Sequence, residues 1–223
     1  MKHPAASLIV HVPFGQVLGV STRSAAEGDR IYLKDLLDDA HRRALKAYRN
    51  EVTKRPEDLD EELVAESVGL GAIFFSYLSR TNIKDFRFDW EEALNFHGDT
   101  GPYLQYALAR LYSIAAKAKA EGITPATTLH PEVLEDDASW RILSYLSRFD
   151  EVLERAATEY EPCHLANYLL ELAKSFSSAY KTMRVVGEEN EAIAQTRLAI
   201  FEALRITLHT GLALLGVPPL ERM

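Results

Sequence analysis

Apolar residues recur along most of this chain at the three-and-four spacing of an amphipathic helix. In LKDLLDDAHRRALKAYR, Leu33, Leu36, Leu37, Ala40, Ala44 and Leu45 fall on one side and predict a helix over 33–49. A second helix is expected from about Asp58 to Arg80. It contains Gly69 and Gly71, each weakening a helix by roughly 1 kcal/mol relative to Ala. Glycines there point to close helix packing or to a kink. FRFDWEEALNF reads as an extended turn into a short helix ending near Gly98.

The next helix should begin after DTGP, with Asp99 or Thr100 as N-cap and Pro102 in the first turn, and run to about Gly122. TPATTLHPE is a loop. Long helices are then expected over about Glu135–Thr158 and Pro162–Val186, with Gly187 terminating the latter. EENEAIAQTRLAIFEALRITLHTGLALLG supplies the last helix; Pro218 and Pro219 stop it, leaving VPPLERM extended. The sum is an all-α fold, an antiparallel bundle of about five long helices and one short one. The start is irregular, and the boundary near residue 30 divides an extended segment, 1–30, from a helical domain, 31–223.

Composition narrows the function. No run of 18 uncharged apolar residues appears, so no membrane span is expected. The first residues, MKHPAASLIVHVPFG, lack the pattern of a signal peptide. The single cysteine, Cys163, suits a reducing cytoplasm, and the seven histidines lack metal-ligand spacing. No cofactor is implied. The net charge of −8 argues weakly against a nucleic-acid partner, although only a docking face need be basic. HRRALKAYRNEVTKR offers such a face: Arg42, Arg43, Lys46 and Arg49 are candidate phosphate contacts, with Lys54 and Arg55 beyond them. The competing reading is a solvated helix face.

Three stretches carry a family resemblance. HVPFGQVLGVSTRS, FDWEEALNFHGDTGPYLQYALAR and the terminal LLGVPPLERM resemble, in order and spacing, the C-terminal part of arginyl-tRNA synthetases, from about His11 to Met223. The resemblance implies a class I anticodon-binding helical domain. Such enzymes activate the amino acid on a nucleotide-binding α/β domain with an H-I-G-H-type motif, and nothing in this sequence resembles it. A second signature, often M-S-T-R-K-G in this family, matches Val20, Ser21, Thr22, Arg23, Ser24 and Ala25. Arg23 is kept, while Ser24 replaces the lysine and Ala25 the glycine. Loss of an ammonium that stabilises transferring phosphates can be worth roughly 2.7–4 kcal/mol, by analogy with a lost oxyanion donor. The expectation is that this chain alone forms no aminoacyl adenylate.

In the family this bundle holds the anticodon arm, and the resemblance maps its base-contacting positions onto Tyr103, Tyr106, Arg110, Tyr180 and Met223. Spacing gives partial independent support. At about 100° per residue, Tyr103, Tyr106 and Arg110 lie within about 60° of one another, beside an apolar stripe of Leu104, Leu108, Leu111 and Ala115. Tyrosines there can stack on unpaired bases while the guanidinium meets phosphate, or they can pack on a neighbouring helix. Tyr180 shares a sector with Leu165, Leu169, Leu172 and Phe176, so spacing alone predicts its burial. Met223 can cover a base, and its carboxylate can accept from base amines.

Other candidates are weaker. Asp85, Asp89, Glu91 and Glu92 surround a helix start, where carboxylates favour the macrodipole. Cys163 and His164 sit early in a helix, and burial of an inert thiol competes with activation. His97 reads as structural. The expected partner is tRNA(Arg). Two further readings stand beside it: the tRNA-binding part of a split enzyme, paired with a separate catalytic subunit, and a repurposed scaffold that binds protein or itself.

Overall fold

A computed structural model describes residues 9–18, 32–51, 58–128, 134 and 137–223. Its described residues form eight helices: α1 Leu33–Glu51, α2 Glu61–Leu78, α3 Trp90–Ala93, α4 Gly101–Ala120, α5 Asp137–Leu146, α6 Phe149–Glu159, α7 Cys163–Ala179 and α8 Glu191–Leu214. Two short strands, β1 Val17–Leu18 and β2 Phe86–Arg87, pair in parallel, Val17 opposite Phe86 and Leu18 opposite Arg87. The all-α expectation holds. The β pair is a local addition that ties the irregular start to the helices.

Helix ends follow their capping chemistry. Asp60 accepts from the Glu62 and Leu63 amides at 3.0 and 3.3 Å. Thr100, one of the two expected caps, accepts from Tyr103 N at 3.2 Å, with Pro102 in the first turn. Such caps contribute about 1 kcal/mol each. At the far end of α4, Gly122 takes φ 75°, and its amide and that of Ile123 reach back to the carbonyls of Lys119 and Ala118 at 3.1 and 2.9 Å. Gly216 closes α8 in the same way, the Val217 amide bonding Leu212 O at 3.0 Å.

The long helix expected over 135–158 is two helices, and the break has a local cause. Ser147 Oγ donates to Ser144 O at 3.0 Å, the acceptor that the Arg148 amide would use in a continuing helix. That amide bonds Tyr145 O instead, at 3.0 Å, and the chain turns before α6. Hydroxyl competition of this kind destabilises a helix slightly and often bends it. α7 likewise stops at Ala179, short of the expected Val186. Ala179 O accepts from the Thr182 amide, the Thr182 hydroxyl and the Met183 amide at 3.0, 3.1 and 2.8 Å. Met183 and Val185 then turn into the core. Gly187, expected to end α7, lies in the following turn at φ 80°.

Two apolar clusters organise the chain. The larger joins α4, α5, α7 and α8 through residues such as Leu104, Leu108, Leu169, Phe176, Leu204 and Leu208. The smaller joins α1, α2 and α3 through Tyr48, Val64, Val68, Ala72 and Ala93, with Phe96 just beyond α3. Close packing, not a kink, explains the α2 glycines. A Cβ on Gly69 would come within 3.0 Å of the Ala40 carbonyl carbon, and one on Gly71 within 2.6 Å of Gln105 Oε1. The tail is extended yet docked. Gln105 Nε2 donates to Pro218 O at 2.8 Å, and Arg222 forks onto Asp58 at 2.6 and 2.9 Å.

Candidate nucleic-acid interface

The α4 face carrying Tyr103, Tyr106 and Arg110 meets the C-terminal end of α7. There the Arg110 guanidinium lies over the Tyr180 ring, 3.9 Å from its centroid, and 5.8 Å from those of Tyr106 and Phe176. An arginine over a tyrosine face is worth about 0.5–2 kcal/mol depending on desolvation. Tyr180 itself is 40 % exposed. Spacing alone predicts its burial; the residue is the C-cap of α7, still helical in its dihedrals, and its ring instead remains exposed beside Arg110. Tyr103 and Tyr106 are half-buried. The Tyr103 hydroxyl is 3.0 Å from Ser177 Oγ on α7, while Tyr106 packs against the smaller apolar cluster.

Arg110 and Tyr180 open onto a groove of about 390 Å³ between α4, the α7–α8 turn and α8. Its lining includes Arg110, Ser113, Lys117, Lys181 and Arg184, with Met183 and Phe201 supplying apolar surface. Four cations and no carboxylate line it. None of those cations forms an ion pair among the described residues. Sequence reasoning missed Lys117, Lys181 and Arg184. Lys117 was findable, because a residue seven on from Arg110 returns to the same helix face. Lys181 and Arg184 needed the early end of α7.

Met223 is not brought to this groove. Only 9 % exposed, its side chain belongs to the smaller cluster with Tyr48 and Phe96. An apolar thioether gains more from that pocket than from solvent, and the side chain lies inward. The basic face of α1 is also differently placed. Arg42 and Arg43 both pair with Asp39, the latter at 2.8 Å, and Arg49 pairs with Glu61 at 2.8 Å. Arg43 further lies 5.6 Å over the Trp90 ring. The two guanidinium groups hold the Asp39 carboxyl below its ordinary value. Lys46 is exposed and alone of the four forms no ion pair among the described residues. Val20, Ser21, Thr22, Arg23 and Ser24, with Ala25, Lys54 and Arg55, lie outside the described residues.

The remaining candidates settle into structural positions. Asp89 caps α3 through the Glu91 and Glu92 amides at 2.8 and 3.1 Å, and Asp85 accepts from the Gln16 amide at 2.6 Å. Cys163 is buried, and burial with the neighbouring Glu161 carboxylate pushes its thiol up, the reverse of activation. His97 is exposed and sits 3.1 Å from Glu51. No group of His, Cys, Asp and Glu among the described residues is arranged to hold a metal. No helix among them is long and apolar enough to cross a membrane.

Comparison with known proteins identifies the family and the fold. Residues 104–223 match the family model of the DALR anticodon binding domain, and residues 1–90 match that of the class I tRNA synthetases (R), catalytic domain. The probable cytoplasmic arginine–tRNA ligase of Dictyostelium discoideum is 34 % identical over 96 % of this chain, which spans 35 % of that protein. The arginine–tRNA ligase of Latilactobacillus sakei is 37 % identical over 96 % of the chain and 37 % of its own length. The chain thus spans about a third of the curated relatives it matches. The Thermus thermophilus arginyl-tRNA synthetase superposes with a TM-score of 0.77 at 34 % identity, covering 89 % of this chain and 33 % of that one. By these matches the chain belongs to the DALR anticodon-binding-domain family, and its relatives there are arginyl-tRNA synthetases.

Proposed function

We propose that this chain binds the anticodon arm of tRNA(Arg), with the Arg110–Tyr180 groove as its contact surface. The carrying observation is that four cations line one groove with no carboxylate among them, beside an exposed tyrosine ring. An unpaired base can stack on Tyr180, worth about 1–3 kcal/mol, while Arg110, Lys117, Lys181 and Arg184 meet flanking phosphates. Tyr106 flanks Arg110, and Tyr103 ties α4 to α7 through Ser177. Arg42, Arg43 and Arg49 contribute less, because their charge is already answered by Asp39 and Glu61; Lys46, which forms no ion pair among the described residues, adds a peripheral contact. The same reading sets the protein in the cytoplasm, where its tRNA is.

Filter binding with arginine tRNA and one unrelated tRNA tests this. The expected result is tighter binding of arginine tRNA, weakening steeply with salt. Equal affinity for both, or none at low salt, contradicts it. Amino-acid activation is expected to be at background in ATP–pyrophosphate exchange, since Ser24 carries no ammonium. A second reading has its own support. Ile9, Val10, Val12 and Phe14 form an exposed apolar run beside β1, a surface suited to a catalytic partner chain or to self-association, as in a split enzyme or a scaffold paralogue.

A further inference from the structure

Resting on the reading of the groove as an RNA site, we infer that Arg197 on α8 is a positioning residue for it. Arg197 does not line the groove. Its Nη1 donates to the Arg184 carbonyl at 3.0 Å and to the Glu188 carboxylate at 2.7 Å, from a side chain only 16 % exposed. The turn it grips alternates. Met183 and Val185 point into the core, and Arg184 between them points out to the groove. Fixing the Arg184 carbonyl between two buried neighbours keeps the Cα–Cβ bond of Arg184 directed out toward the groove.

Arg197 has a second effect. Glu188 lies four residues beyond Arg184, and its other carboxylate oxygen accepts from the Asn190 amide at 3.3 Å, at the cap of α8. Held by Arg197 and Asn190, that carboxylate is kept from pairing with Arg184 or Lys181. The groove therefore keeps its unanswered positive charge because a buried cation outside it engages the neighbouring acid. The Nε of Arg197 is buried with no partner among the described residues, so the loop contacts, not satisfaction of the guanidinium itself, set its orientation.

The test measures binding of an arginine tRNA anticodon stem-loop to the full chain across a salt series. Arg197→Met should weaken binding about tenfold and reduce the salt slope by about one, the loss of one phosphate contact, as Arg184→Ala should. Arg184→Ala and Arg197→Met together should be no worse than the weaker single variant. Adding Glu188→Gln to Arg197→Met should recover part of the affinity, which a merely structural role would not allow. An unchanged slope, multiplied losses, or no recovery overturns the assignment. Hydrogen exchange without RNA gives an independent readout. Arg197→Met should speed exchange across 181–186 about tenfold while α4 is unaffected, and unchanged exchange also overturns it. Should the unsubstituted chain bind no stem-loop while exchange responds as expected, the groove reading fails and the clamp stands.

Discussion

Two regions among the described residues are rich in cations, and they differ in how far acids answer them. On α1, Arg42, Arg43 and Arg49 are paired with Asp39 and Glu61. In the groove between α4 and the α7–α8 turn, Arg110, Lys117, Lys181 and Arg184 face one another with no acid in the lining. The first is conspicuous in the sequence as one dense run; the second is assembled from separate elements of an acidic chain. Density of positive residues along a sequence therefore says little about where an anion docks. What decides is whether carboxylates on the same helix or its neighbour have already neutralised the charge.

The largest effect should come from removing the groove's centre. Arg110→Ala with Tyr180→Ala is expected to weaken stem-loop binding about a hundredfold, through loss of the stacking face and its cation. Next, replacing Lys117, Lys181 and Arg184 with Gln should lower the salt slope by about three. The matching triple on α1, Arg42→Gln, Arg43→Gln and Lys46→Gln, should lower it by no more than about one. Equal slopes from the two triples would erase the distinction.

Asp39→Asn sharpens the contrast from the other side. Freeing Arg42 and Arg43 should raise affinity for unrelated RNA about twofold at low salt. Acid should act similarly. Because the folded Asp39 lies below its ordinary 3.8, the pair stabilises the fold above that value and is lost as pH falls through the lower one. The smallest change is expected from Tyr103→Phe. Losing one neutral hydrogen bond to Ser177 should alter binding by about twofold or less.

Much of the fold was legible because the helical periodicity is strong and the caps are explicit: Thr100 with Pro102, Gly122, and Gly216 before Pro218 all sit where the chain turns. The breaks at Ser147 and Ala179 were not legible. Each depends on a hydroxyl that either follows a helix outward or captures a carbonyl, and the sequence does not say which. Missing the second break hid half of the groove. The family resemblance named Arg110 and Tyr180, which the fold brings together, and spacing grouped Arg110 with Tyr103 and Tyr106. Neither placed Lys181 and Arg184, whose position follows from Met183 and Val185 turning inward. For Met223, the resemblance named a residue whose side chain the core claims.

Photo-crosslinking of an arginine tRNA anticodon stem-loop to the unsubstituted chain, with the linked peptides sequenced by mass spectrometry, tests the central claim most directly. Crosslinks from the loop nucleotides are predicted at residues 110–117 and 180–186. Crosslinks concentrated at residues 42–49, with the groove unmarked, would contradict the account.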